Sequence, residues 1–385
     1  MIRSPRALLV ALASVVAVLG LVSPAQAATP VSTLTTFDDA ADFRRGTLST
    51  AVVSGDRLTM KAGTTSGVWE SPWIFGSATN VIPSWNLASS NGGTSLNVWV
   101  RVRSGSKVSG WKHLATWRHA LSGKKRTSYG KQSDALASVA TDTVNAAKGV
   151  TFTGWQMKVE LRRDAKTGAA PSVRALHLAA ANVAKRSPAT SKTTMTKTVD
   201  LAVPQHSQMI HRGHFPEYGG GGNAWCSPTT TSMLLRYWGK GPSASTYAWA
   251  KDTDGHVDYA ARFMYDSGYR GAGNWSFAMA YASRYSTIAH AQRMVSLRDV
   301  EALIKEGVPV GASIAFAKGK LSGAPISSTA GHLVVIRGFT KSGDVIVNDP
   351  AAPKNSSVKR TYSRAQFEAA WLGGSGGLTY VVRPA

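Results

Sequence analysis

The sequence holds a single cysteine, Cys226, and its surroundings decide what a thiol there could do. The attacking species in thiol chemistry is the thiolate, and a helix N-terminus plus a nearby imidazolium lowers a thiol pKa from about 8.5 into a reactive range. Pro228 stands just inside an apolar run with Met233, Leu234, Leu235, Tyr237 and Trp238, which predicts a helix start. Gly239 and Gly241-Pro242 predict its stop, so Cys226 falls at the helix N-terminus. The base must come from elsewhere in the chain. His332 opens the apolar run Leu333-Val334-Val335-Ile336, and Asp349 closes the next, Val345-Ile346-Val347-Asn348, ahead of Pro350. Two adjacent strands joined through Lys341-Ser342-Gly343 bring His332 and Asp349 side by side. A carboxylate there fixes the imidazole tautomer while the other ring nitrogen faces the thiol, the logic of a Cys-His-Asp triad.

Plainer readings compete. Taken alone, Cys226 could be a packed core thiol or an intermolecular bridge, His332 a strand-end histidine, and Asp349-Pro350 a turn starter. His206, His211, His214 and Cys226 could together be zinc ligands, although they lack a familiar paired spacing. Asp252-x-Asp254-Gly255 lacks the 12-residue pattern and final Glu of a calcium loop and is better read as a turn. Gly219 to Gly222, just before Asn223, read either as a mobile cleft rim or as a spacer. A lone thiol at a helix start tips the balance towards chemistry because the chain carries an export leader, where structural cysteines come in pairs.

That leader occupies residues 1–27. Arg3 and Arg6 supply its positive end, Ala7 to Val22 its apolar stretch, and Ala25-Gln26-Ala27 the small residues of a cleavage site. The apolar stretch is shorter than the ~20 residues of a membrane-spanning helix, so a secreted, extracellular product beginning at Ala28 and free of membrane spans is expected. The whole sequence has 44 Lys and Arg against 21 Asp and Glu. Residues 28–195 hold 22 basic and 9 acidic side chains, so electrostatic docking belongs mainly to the first half. Outside a cell the available polyanions are wall polymers, anionic lipid and shed nucleic acid. No nucleic-acid-binding motif accompanies the charge, which sets nucleic acid aside.

The elements that must position these residues fall into two groups. From about Thr35 to Asn182 the pattern is of strands. Leu96, Val98, Val100 and Val102 alternate with other residues, as do Trp155, Met157, Val159 and Leu161. Turn signals at Asn91-Gly92-Gly93 and Ser104-Gly105-Ser106 suggest an antiparallel sandwich. Trp69, Trp73, Trp85, Trp99, Trp111, Trp117 and Trp155 lie here, as core filler or as a glycan-stacking face. Ala184 to Thr198 has no apolar period and reads as a flexible linker. Beyond it, helices are expected at Val257–Asp266, Asn274–Arg284, Leu297–Glu306 behind a Ser296/Asp299 capping pattern and Arg364–Leu372 behind a Ser363/Gln366 one. Strands are expected at Pro309–Phe316, His332–Phe339, Asp344–Asn348 and Leu378–Val382. Helices first and a sheet afterwards is an α+β layout.

Together with Val203-Pro204-Gln205-His206-Ser207-Gln208, residues Cys226, His332 and Asp349 resemble the papain-like superfamily, most closely bacterial peptidases similar to the double-glycine leader (bacteriocin-processing) peptidases. The resemblance covers Val199 to Ala385. It implies Gln208 as an oxyanion donor, with Gln205 the weaker choice, Cys226 as nucleophile, His332 as base and Asp349 as the orienting acid. The family usually has Gly after the nucleophile, where this chain has Ser227 and then Pro228. The expectation is therefore a leader (1–27), a β-sandwich-like accessory domain (28–183), a flexible linker (184–198) and a papain-like α+β cysteine peptidase domain (199–385). Its substrate would be a protein or peptide, without a cofactor or catalytic metal, while the first domain could hold an anionic cell-wall or glycan surface. A wall-peptide amidase or endopeptidase is the alternative enzyme, and a catalytically inactive binding module the alternative outside enzymes.

Overall fold

The computed structural model describes residues 31–89, 92–119, 125–182, 189–250 and 253–385; the leader, residues 183–188 and Asp252 lie outside them. Apart from the short helix Ala40–Arg44, the first half is all-β, made of two antiparallel sheets. One centres on Asn80–Ser89 and Ser172–Asn182, the other on Thr94–Ser104 and Phe152–Arg163. The period-two alternation has a direct structural outcome. Leu96, Val98, Val100 and Val102 stand opposite Leu161, Val159, Met157 and Trp155, and all eight are buried in the space between the sheets.

The second half begins with helices and ends with a sheet. The sheet runs in the order Thr287–Arg293, Leu378–Pro384, Val310–Phe316, Thr329–Phe339, Val345–Asn348, Lys359–Tyr362, with Val199–Asp200 also against Thr329–Phe339. Every pairing is antiparallel. Leu333 and Val335 join the core that includes helices Cys226–Tyr237, Gly255–Met264 and Trp275–Ala282. Val334 and Ile336 join a second core with Leu297–Lys305 and Arg364–Glu368. The strand is apolar at successive positions because both its faces are covered. The predicted capping box is present at Ser296 and Asp299, but the one expected at Ser363 is not: Ser363 makes no cap bond and Gln366 pairs with Ser322 instead. Two edge strands, Thr287–Arg293 and Lys359–Tyr362, escaped the sequence reading because their residues are mostly small or polar, as edges often are.

The two halves are not separate bodies on a loose tether. Trp85 and Trp117 of the first half meet Phe277 of the second at ring-centroid distances of 6.1 and 5.1 Å, inside one continuous core. Backbone groups are satisfied across the same boundary. Asn86 donates to the Ala289 carbonyl at 2.8 Å and accepts from its N–H at 2.9 Å, and Ser276 donates to the Pro83 carbonyl at 2.6 Å. The later part of the segment read as a flexible linker is also fixed. Glu301, fully buried, accepts from Thr193 and Thr194 and pairs with Arg364 at 2.6 Å, while Met195 is buried in the second core. A Ser/Thr-rich stretch looked unstructured because its partners are polar groups far along the chain, which periodicity does not register.

Candidate active site

Cys226 is the first residue of helix Cys226–Tyr237, entered from Trp225 without a side-chain cap. The first amide N–H groups of a helix lack acceptors within it, and Pro228 occupies a position where its missing N–H is no loss. Thr229 returns two hydrogen bonds to the Trp225 carbonyl, at 3.1 Å from its N–H and 2.8 Å from its hydroxyl. The Ser227 hydroxyl lies 3.0 Å from that of Tyr380, tying the helix start to the sheet. Cys226 stays half-buried and lines a cleft of about 640 Å³ with Asn223, Ala224, Tyr269, Trp275 and Gly331.

His332 stands near the start of strand Thr329–Phe339, and Asp349 directly follows the neighbouring strand Val345–Asn348. Their side chains meet, with His332 Nε2 2.7 Å from Asp349 Oδ1. That oxygen also accepts from the Ala351 N–H at 3.0 Å, and Oδ2 accepts from the Tyr362 hydroxyl at 2.7 Å. With Nε2 committed to the carboxylate, Nδ1 is the ring nitrogen that remains for the thiol, and Cys226 and His332 lie close enough to act on each other's charge. Tyr362 was not anticipated; it ends a polar edge strand, where the one signal is an aromatic residue paired opposite Val345.

The electrostatics follow from this contact chain. Burial works against charge on all three groups, and the charges on their neighbours outweigh it. Burial alone would raise the Cys226 thiol pKa, but hydrogen bonding and charge from His332 bring it below its ordinary value. Burial likewise disfavours the imidazolium, yet Asp349 and Cys226 hold His332 protonated up to about 10. Asp349, buried too, is lowered by His332, Tyr362 and the Ala351 N–H. Burial and the Asp349 charge push the Tyr362 hydroxyl far above its usual range, which keeps it a donor. The set can therefore hold a thiolate beside an imidazolium.

Gln208 begins the short 3₁₀ turn Gln208–His211 and is buried. Its side-chain amide donates to the Gly222 carbonyl, its backbone N–H donates to the Pro350 carbonyl at 2.8 Å, and its Oε1 has no hydrogen-bond partner. A primary amide carries two N–H donors, so one remains beyond the bond to Gly222. Gln205 is half-buried on the preceding stretch. The glycine run is packed only at its end: Gly221 has φ +69°, and a Cβ there would collide with the His211 carbonyl oxygen, whereas Gly220 faces open space. The zinc set that combined Cys226 with three histidines is not assembled. His211 and His214 share Asp258, His206 meets Asp254, and Cys226 turns to His332. Asp254 starts helix Gly255–Met264 in a left-handed conformation, φ +61°.

Comparison with known proteins adds two family matches. Residues 200–377 match the model of the peptidase C39-like family, and residues 33–181 match that of the peptidase C39 N-terminal domain. Among solved structures, a candidate C39-like peptidase from Bacillus anthracis is 18% identical, with 49% of this chain and 98% of that one covered at a TM-score of 0.32. A fragment of prointerpain A from Prevotella intermedia is 17% identical, with 52% and 76% covered, also at 0.32. No curated protein matches the chain.

Proposed function

Because the chain belongs to the peptidase C39-like family through residues 200–377, we propose that it is a papain-like cysteine peptidase with Cys226, His332 and Asp349 as its triad, exported by a leader over residues 1–27. The observation that carries this reading is the Asp349–His332 hydrogen bond at 2.7 Å beside Cys226, whose thiol His332 influences at a helix N-terminus on the cleft wall. The Cys226 thiolate attacks the scissile carbonyl carbon, a C–S bond forms, and the carbonyl electrons move to oxygen. The Cys226 backbone N–H and the free N–H of Gln208 stabilise that oxyanion. His332 Nδ1 gives its proton to the leaving amine as the C–N bond breaks, then takes one from the water that attacks the acyl-enzyme, and the thiolate leaves. Asp349 holds the ring throughout, and Tyr362 holds Asp349.

Among the described residues, the charged ones lining the cleft are Arg270 and Arg293, which favours peptides with carboxylates near the scissile bond. Acidic wall peptides belong to that class, so a wall-peptide amidase or endopeptidase is the second enzyme reading. Labelling by a thiol-directed inhibitor at neutral pH tests the mechanism. Rapid labelling that is lost in His332→Ala supports it, whereas a thiol inert in the intact chain points to a binding module.

One surface favours a docking role for the first half. Trp69, Trp85, Trp117 and Trp155 are core residues, while Trp73, Trp99 and Trp111 alternate with cations. Arg101 lies 5.2 and 4.3 Å from the Trp73 and Trp111 rings, and Lys158 lies 4.9 and 4.6 Å from Trp99 and Trp111. With ring faces covered by cations, charge is the better basis for holding an anionic wall surface. Full-length Cys226→Ala protein should pellet with purified cell walls at low salt and be released as salt rises. Retention at high salt would assign binding to the rings, and no retention at low salt would remove the role.

A further inference from the structure

We propose that His211, His214 and Asp258 form a site for a divalent transition-metal ion, Zn(II) by their donor chemistry, which braces the segment leading to Cys226. His211 ends the 3₁₀ turn Gln208–His211, His214 follows three residues later, and Asp258 is the fourth residue of helix Gly255–Met264. One ligand atom from each residue converges, all within 4.8 Å of one another. His211 Nδ1 is 2.9 Å from Asp258 Oδ2, and His214 Nδ1 is 3.0 Å from Asp258 Oδ1.

The observation that points to an ion is the state of the buried atoms. His211 and Asp258 are fully buried, yet neither ring nitrogen of His211 nor Oδ2 of Asp258 makes a hydrogen bond. The 2.9 Å approach is close enough for one, so it is the direction of the N–H that fails. A carboxylate at zero exposure is costly unless a cation or full hydrogen bonding compensates it. An ion between the three donors would compensate Asp258 and His211 together. Ordinary Zn–N and Zn–O lengths place tetrahedral ligand atoms about 3.4 Å apart, which lies between the 2.9 Å contact and the 4.8 Å outer bound of this group, so modest side-chain shifts would bring the donors to that spacing. Two imidazoles and a carboxylate suit zinc better than calcium or magnesium, which prefer all-oxygen shells. His214 is half-buried and borders an open cavity of about 520 Å³ with Ile210 and Asn355, from which water can supply a fourth ligand. The adjacent His206–Asp254–His256 group is the weaker candidate, because Asp254 is already held by Asn355 at 2.6 Å.

The consequence lies in the chain's path. The same turn carries Gln208, which holds Gly222, and the His211 carbonyl fills the space opposite Gly221. An ion at His211 fastens this turn to helix Gly255–Met264, and through it the loop that ends at Cys226. Zinc content of the full-length protein in a Cys226→Ala background tests this, since that background removes uptake by the reactive thiol. Gel-filtered protein should retain zinc, and Asp258→Asn and His211→Gln should each retain one equivalent less. In the unsubstituted chain, stripping zinc with a chelator should lower the melting temperature, and free zinc should restore it with a logarithmic dependence on concentration. The chelator arm stands even where a variant fails to fold. No retained zinc, equal zinc in Asp258→Asn, or a melting temperature indifferent to chelation overturns the site.

Discussion

Replacing Cys226 by Ala should abolish peptide hydrolysis while leaving the melting temperature almost unchanged, because the side chain is half-buried at a cleft on the margin of the core and alanine loses only its sulfur. Turnover of a peptide panel at the unsubstituted rate would remove the mechanism. Asp349→Asn should be milder, since an amide oxygen still accepts from His332 Nε2, but it deletes the charge that keeps His332 protonated. The pH profile then separates the roles. Acylation needs a thiolate, which exists above the lowered pKa of Cys226, and an imidazolium, which persists up to about 10. The alkaline limb of kcat/KM should therefore lie near pH 10 and move to lower pH in Asp349→Asn. Tyr362→Phe removes one donor to Asp349 but leaves the carboxylate charge in place, so the alkaline limb should stay or move slightly up while kcat falls through looser placement of Asp349; unchanged kcat would make Tyr362 a packing residue.

Among the elements, helix Leu297–Lys305 has a second task beyond closing the core, because its Glu301 gathers Thr193, Thr194 and Arg364. Removing one partner of a buried ion pair leaves the other charge uncompensated, a loss of about 3 kcal/mol or more. Glu301→Ala should therefore destabilise the protein by about 3 kcal/mol in denaturant titration, against about 1 kcal/mol for the cap variant Ser296→Ala. Equal effects would mean that the 189–198 segment is not held by Glu301. Around the site, each element contributes one end: a helix N-terminus for Cys226, a strand start for His332, a strand end for Asp349 and an edge-strand end for Tyr362. Element ends can be brought together by sheet register without strain in any one of them.

For the whole molecule, the shared core predicts cooperative behaviour. Trp85, Trp117 and Phe277 interlock across the two halves, and truncation of a buried Phe costs roughly 3–5 kcal/mol. Thermal unfolding should be a single transition by tryptophan fluorescence and far-ultraviolet circular dichroism, and Phe277→Ala should lower it for both probes together. Two separate transitions, with only one moved, would show that the halves fold independently. The cleft also depends on both halves: beside Tyr269, Trp275 and Arg293, an adjoining cavity of about 260 Å³ is walled by Thr141, Asp142 and Thr143 of the first half. The first half thus borders a cavity that adjoins the Cys226 cleft and is more than a remote anchor.

Much of this was legible in residue order. The alternation from Leu96 to Val102 and from Trp155 to Leu161 specified strands, and Ser296 with Asp299 specified a helix start, because these signals act over one or two turns of chain. The lone Cys226, His332 and Asp349 could be nominated because short apolar runs place them at element ends. Other features depend on contacts across long sequence distances, which no local pattern encodes. Tyr362 reaches Asp349 only because its strand pairs with Val345–Asn348. The Ser/Thr-rich stretch before Val199 is ordered by Glu301 and Arg364, more than a hundred residues away. His211 and His214 face Asp258 because a turn and a helix pack together. Sequence determined which groups could do chemistry and which elements carry them, since backbone periodicity and capping are local. Tertiary packing decided which groups share a site and that the two halves share a core, since charge pairing and side-chain fit are settled only when distant segments meet.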